Sequence, residues 1–273
     1  MMPNAEIDLE AEYNNRARVP DHGVHIAAWY RDAAAYRGSA RCELDLAYGP
    51  GERHRVDFFH PDDEAGGPVV LVIHGGYWQA LDKSSASHLA RGANMRGLTV
   101  AVPSYDLAPS ASLAEIVGCI ERASDFIAER TQRPLVAAGH SAGGHLAACL
   151  MARPGGSRRP IRVGMPISGL FDLAPLVSTS VNAALGLRPE EAHRLSPLHL
   201  TPPQDGRLVA VVGGAESSEY FRQSREVVER WSAAGVDARV HIVRGAHHFD
   251  VMVGLADPSD PLVDILVSLA ADA

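Results

Sequence analysis

An α/β fold, with helices on both faces of a mostly parallel sheet, is what this sequence predicts, and three observations predict it. Short apolar runs alternate with longer stretches of helical periodicity along most of the chain. Two of the runs, VVLVIH (69–74) and PLVAAG (134–139), are apolar almost throughout, as strands buried on both faces must be. A glycine-flanked serine, Gly-His-Ser-Ala-Gly at 139–143, sits where the second run would give way to a helix.

Taken in order, residues 1–20 are polar, with Tyr13-Asn14-Asn15-Arg16 standing out. Pro20 suits the first turn of a helix over about 22–37, for which Val24, Ile26, Ala27 and Tyr30 are the expected inner positions. Segments 43–48 and 53–60, separated by Gly-Pro-Gly, read as an antiparallel hairpin at the sheet edge. A Gly/Pro linker at 66–68 leads into VVLVIH, then a helix over 84–97, the strand LTVAVP (98–103), a helix over about 112–130 and PLVAAG. The helix behind the serine covers 142–152, and IRVGMPI (161–167) is the next strand. From 168 to 207 five prolines break the rhythm, so this stretch is expected to be a small lid inserted into a single domain spanning 1–273. LVAVVG (208–213), a helix near 219–234, ARVHIV (238–243) and a helix near 261–271 complete the pattern.

With 46% hydrophobic and 21% charged residues, the 273-residue chain can bury a sizeable sheet. Its net charge of −8 repels phosphate backbones, and no dense Lys/Arg run offsets it, so nucleic acid is not an expected partner. The nearest to such a run, Arg158-Arg159, reads as a solvated loop. Three scattered cysteines make no disulfide framework; Cys119 and Cys149 fall in apolar helical patterns as small hydrophobes. The acidic N-terminus lacks the apolar core of a signal peptide, and no stretch reaches the roughly 18 apolar residues of a membrane span. A reducing cytoplasm is the expected compartment.

The serine motif carries chemistry because of its context. A strand that turns abruptly into a helix holds its junction residue in a strained conformation with the side chain exposed, and Gly139 and Gly143 remove side chains that would collide in that turn. Ser141 is therefore the expected nucleophile. His140 and His145 flank it as packing residues, since five residues apart on a helix they cannot both face one metal. His74-Gly75-Gly76-Tyr77-Trp78 follows VVLVIH; such a loop can bring backbone N–H groups of Gly75 and Gly76 close to a substrate carbonyl, with Ala142 supplying the other donor of an oxyanion hole. The base belongs after the last strand, where Arg244-Gly245-Ala246-His247-His248-Phe249-Asp250 offers two adjacent histidines. The acid belongs just past LVAVVG, where Glu216 occurs and would fix the histidine tautomer; Asp250 is the fallback.

With HGGYW, GHSAGGHL, the 213–225 segment and RGAHHFD together, and with SGLFDL (168–173) and Leu195-Ser196-Pro197, the chain resembles the kynurenine formamidases of the α/β-hydrolase fold from Tyr13 to about Leu255. The resemblance places the family's nucleophile on Ser141, its histidine on His248 and its acid on Glu216. Glu216 is one methylene longer than the family's usual aspartate, and His247 stands where such proteins often carry an acid. The implied activity is cleavage of a small aryl formamide or ester through an acyl-enzyme, with no cofactor and no metal. Tyr77, Trp78 and Phe171 are the expected aromatic substrate contacts, with core packing as the competing role for each. The expected partner is the small-molecule substrate, with neither nucleic acid nor membrane, and a homodimer is one option for assembly. Two rival readings are a general short-chain carboxylesterase and a non-catalytic ligand-binding protein of the same fold; the Ser, His and Glu positions argue against the latter.

Overall fold

The computed structural model describes residues 7–63, 66–153 and 160–273, so the Arg158-Arg159 loop lies outside the described residues. Among the described residues, one sheet holds the strands β1 (Cys42–Ala47), β2 (Arg55–Phe59), β3 (Val69–Ile73), β4 (Thr99–Pro103), β5 (Leu135–His140), β6 (Val163–Ile167), β7 (Arg207–Gly213) and β8 (Asp237–Val243), in the order β1-β2-β4-β3-β5-β6-β7-β8. β1 and β2 form the antiparallel hairpin at one edge, β2 runs antiparallel to β4, and all remaining pairs are parallel. The chain passes from β3 to β4 on one side and then to β5 on the other. The carboxyl ends of β3 and β5 therefore flank a switch point, where crossover connections diverge and leave a crevice. Both glycine motifs lie at that crevice, because Ile73 pairs with Gly139.

The helices are α1 (Leu9–Tyr13), α2 (Asn15–Arg18), α3 (His22–Ser39), α4 (Ala90–Met95), α5 (Leu113–Thr131), α6 (Ala142–Met151), α7 (Asn182–Leu185), α8 (Pro189–Arg194), α9 (Ser218–Ala233) and α10 (Pro261–Ala271). Successive strand side chains point to opposite faces, and the core splits accordingly. Leu71, Ile73, Ala137, Ala210 and Val212 pack with α5, α6 and α9 on one face. Val70, Val72, Val136, Ala138, Val209 and Val211 pack with α3, α4 and α10 on the other. No helix among the described residues is long and apolar enough to cross a membrane. The three cysteines are free, with Cys119 and Cys149 buried.

Two sequence expectations need correction. In α3 the inward face is Trp29 and Ala33, flanked by Ile26 and Tyr36, whereas Val24 and Tyr30 are exposed. Alanines on several sides of this helix blur its periodicity, and the contacts of Trp29 with Phe249 and His140 set the rotation. The helix expected over 84–97 is two 3-10 turns, Lys83–Ser85 and Ser87–Leu89, followed by the short α4. Here the side chains of Asp82, Ser85 and Ser87 bond to local backbone groups and compete with the α-helical pattern.

The fit of α6 under β3 leaves no room at Gly143, where a Cβ would overlap the carbonyl oxygen of Ile73. Gly143→Ala is expected to cost about 1–3 kcal/mol by forcing strand and helix apart. A chemical denaturation midpoint indistinguishable from wild type would contradict that fit.

Candidate active site

β5 ends at His140 and α6 begins at Ala142, which leaves Ser141 alone to reverse the chain, at φ 57° and ψ −117°. That conformation is costly for a residue with a Cβ and persists only where its surroundings fix it. Ser141 N–H donates to Ile167 O at 2.8 Å, and Ser141 O accepts from His145 N–H at 3.1 Å. From the other side the Gly75 loop presses on the elbow: a Cβ at Gly75 would lie 2.9 Å from His140 O and 3.2 Å from the Ser141 Cβ.

His248 sits in the turn after β8. Its Nε2 lies 3.0 Å from Ser141 Oγ, and its Nδ1 lies 2.8 Å from Glu216 Oε2. The Glu216 carboxylate is fully buried, and its Oε1 accepts from Gly213 N–H at 2.7 Å and from the Ser168 hydroxyl. One oxygen is thus anchored to β7 and to the residue after β6, leaving the other for the imidazole. This anchoring accommodates the extra methylene. The ring of His248 is further enclosed by His140 at 4.7 Å, Tyr220 at 4.8 Å and Phe249 at 5.7 Å between centroids. His247 points elsewhere, with Nδ1 3.2 Å from Asp250 Oδ1 and its ring edge-on to His25 at 4.7 Å. Asp250 is occupied there, accepting His247 N–H at 2.7 Å, so the fallback acid is placed with the other histidine.

After β3 the loop carries positive φ at Gly76 (102°), Tyr77 (49°) and Trp78 (59°), which folds it over the serine. A Cβ at Gly76 would overlap Ala80 O, so glycine is required on two counts. The N–H groups of Gly75, Gly76 and Ala142 donate to no other described residue. Ala142 is also the first residue of α6, where the helix dipole favours negative charge.

Ser141 and His248 open into a cavity of about 310 Å³. Tyr77 lines it, but the other two expected aromatic contacts do not. Trp78 is fully buried, edge-on to His145 at 5.0 Å, because the tight turn sends adjacent side chains in different directions. Phe171 is buried over Gly169, with its N–H donating to Gln223 Oε1, so the core-packing role holds for both. Trp29, Ile26 and Phe249 supply the apolar wall instead.

The polar wall comes from Tyr13-Asn14-Asn15-Arg16, a run conspicuous in the sequence but without an expected role. A buried network holds it: Tyr77 OH donates to Tyr13 O at 2.7 Å, Asn15 Nδ2 to Tyr220 OH at 2.8 Å, and Tyr13 OH to Glu219 Oε2 at 2.7 Å. From the proline-rich 168–207 stretch, Ser180 and Val181 reach the cavity, and Glu10 ties Ser180 to the N-terminal segment. Ser168 and Tyr220 carry no local signal for their places beside the site, since their contacts with Glu216 and His248 join positions far apart in sequence.

A separate cluster of His54, Asp106 and Cys119 has donor atoms close enough for a metal. Gly51 N–H donates to His54 Nδ1 at 3.1 Å, which puts the proton of the neutral ring on Nε2, facing Asp106 Oδ2 at 2.9 Å. Arg122 donates to Cys119 Sγ at 3.0 Å. The donor set is therefore that of a hydrogen-bonded cluster and does not fit a metal site.

A family model described as the alpha/beta hydrolase fold matches residues 70–196, which contain both glycine motifs. A kynurenine formamidase of Salmo salar is 30% identical over 257 residues, covering 90% of this chain and 87% of the relative. The chain belongs to the kynurenine formamidase family. Another member, from Drosophila melanogaster, is 30% identical over 79% of this chain and 77% of its own. A solved structure from Silicibacter sp., which bears a provisional thioesterase name, is 38% identical, with a TM-score of 0.88 over 96% of this chain and all of its own (100%). Esterase B of Lactobacillus rhamnosus, at 18% identity and a TM-score of 0.73, shares the fold and covers 96% of each chain. The protein is a serine hydrolase.

Burial lowers the pKa of His74 and of His145 to about 4, because neither cavity-free site can solvate an imidazolium. Unfolded, both rings titrate near their ordinary value of about 6.5. Between about pH 6.5 and 4 the unfolded chain therefore binds protons that the folded chain does not, and stability rises with pH across that window. Each histidine is expected to contribute a slope of at most about 1.4 kcal/mol per pH unit. Urea midpoints that stay flat from pH 6.5 to 4.5 would contradict the buried neutral rings.

Proposed function

We propose that this member of the family hydrolyses a small aryl formamide or ester of the N-formylkynurenine type through a formyl- or acyl-enzyme. The observation that carries this reading is the hydrogen-bonded chain from Glu216 through His248 to Ser141, opening on a cavity walled by Trp29, Phe249 and Tyr77. Ser141 Oγ attacks the carbonyl carbon while its proton passes to His248 Nε2. The charge that develops on the carbonyl oxygen is received by N–H groups of Gly75, Gly76 and Ala142, which have no partners among the described residues. His248 then gives its proton to the leaving amine or alcohol as the carbonyl–heteroatom bond breaks. Water, deprotonated by the same ring, attacks the acyl-enzyme, and the ring returns that proton to Ser141 Oγ as the acyl–oxygen bond breaks and the acid leaves. Glu216 acts through His248, holding the tautomer and stabilising the imidazolium.

The aromatic wall supports an aryl leaving group, which stacks on flat side chains at little conformational cost. The names of the Salmo salar and Drosophila relatives support a formamide. A second reading, a short-chain ester or thioester as substrate, is favoured by the Silicibacter relative. Free cysteines fit work in a reducing cytoplasm.

Ser141→Ala is expected to lower kcat by roughly 10⁶, and Glu216→Gln by on the order of 10⁴ with the fold retained. His248→Ala should behave like the serine variant, while His247→Ala should change kcat by about tenfold or less. Steady-state kinetics with the effects of the two histidines exchanged would refute the assignment.

The substrate is tested by kcat/KM on N-formylkynurenine, formanilides, and p-nitrophenyl esters and thioesters of rising chain length. Activity should fall steeply beyond acetyl or propionyl, at about 1–3 kcal/mol per methylene that a closed pocket cannot accept. Efficient octanoyl ester cleavage without aryl formamide turnover would leave the esterase reading standing.

A further inference from the structure

The cavity wall is electrostatically one-sided. Among the described residues lining it there is no aspartate or glutamate, and Arg16 is the one lining side chain with a permanent charge. Arg16 makes no ion pair or hydrogen bond with any described residue, whereas Arg18, two positions on, lies 3.8 Å from Glu12. The acids of the same segment are engaged elsewhere. Glu10 accepts from Ser180 and Asn14, and Glu12 from Ser218 and the Glu219 N–H.

Its backbone is also fixed. The neighbouring Asn15 is buried and donates to Tyr220 OH at 2.8 Å, and Tyr13 is tied by Tyr77 OH at 2.7 Å. A residue at the mouth of a pocket, held by a rigid base and left without a counter-ion, is placed to meet a charge brought in by the ligand. Guanidinium presents a planar fork of donors that matches a carboxylate in bidentate fashion.

We propose that Arg16 receives a carboxylate carried on the leaving group of the substrate. This rests on the aryl formamide or ester reading above. The formyl or short acyl part, seated at Ser141, has no place for a charged group, so the anion belongs to the amine or alcohol half. Trp29 and Ile26 offer the aromatic ring an apolar surface in the same cavity, and Arg16 is the lining side chain that can take the carboxylate. The preferred substrates are then anionic aryl formamides or esters, and cationic analogues are discriminated against.

Two measurements test this. Aryl formates differing only in a neutral, carboxylate or ammonium substituent on the ring are compared in the wild type, Arg16→Gln and Arg16→Glu. The wild type is expected to favour the carboxylate over the neutral ester by about tenfold in kcat/KM, expressed mainly in KM, as suits a charged hydrogen bond at a solvated rim. The ratio should fall to near one in Arg16→Gln and reverse towards the ammonium ester in Arg16→Glu. Calorimetric binding of 3-phenylpropanoate against its neutral amide gives the same comparison without turnover, so it stands even if no formamide or formate is cleaved. Equal affinity for acid and amide in the wild type, or a preference that survives in Arg16→Gln, would overturn the proposal. Loss of formanilide turnover with the preference intact would instead overturn only the formamidase reading.

Discussion

Between His140 at the end of β5 and Ala142 at the start of α6 there is one residue in which to reverse the chain, and the site is organised by that constraint. Ser141 is held at positive φ by contacts on three sides: Ile167 O takes its N–H, α6 begins immediately beyond it, and the Gly75 loop crosses it. Strain of this kind costs of order 1–3 kcal/mol and is maintained by the packing around it. In return the hydroxyl projects towards His248, and the N–H of Ala142, the first residue of α6, has no partner among the described residues. The reachable hydroxyl and the unpartnered N–H are two consequences of one turn.

The sheet topology brings the rest to that point. β3 and β5 are neighbours although β4 lies between them in sequence, so the two glycine motifs meet at the switch point. β7 and β8 extend the sheet on the far side, and the turns after them deliver Glu216 and His248. The site is thus assembled at the carboxyl ends of parallel strands. Glu216 illustrates how such a scaffold absorbs a change. The longer side chain retains its contact with His248 because Ser168 and Gly213 bind the other carboxylate oxygen.

Around this rigid base the cavity is completed by segments remote in sequence. The N-terminal Tyr13–Arg16 run and the Ser180–Val181 pair meet above the serine, joined through Glu10, while Trp29 and Phe249 form the apolar side. Ser141, His248 and Glu216 sit on the turns after parallel strands, and the shape and charge of the cavity come from side chains of α1 to α3, Phe249 and the 168–207 stretch.

By itself the sequence determined the strand–helix alternation, the elbow at Ser141, the glycine loop at 75–76 and the neighbourhoods of the acid and base, because each depends on local patterns: apolar runs, glycines where a Cβ cannot fit, and chain order along the sheet. The choice of His248 over His247 required family resemblance, since adjacent histidines look alike in one dimension. The tertiary structure decided which way each side chain points. Trp78 and Phe171, aromatic and close to the motifs, went into the core, while Trp29 and Ile26 turned towards the cavity from a helix whose alanines gave little periodicity. Asn15 and Ser168 acquired their positions through contacts with residues tens to hundreds of positions away, and no local pattern in a sequence encodes which distant partner a polar side chain will meet.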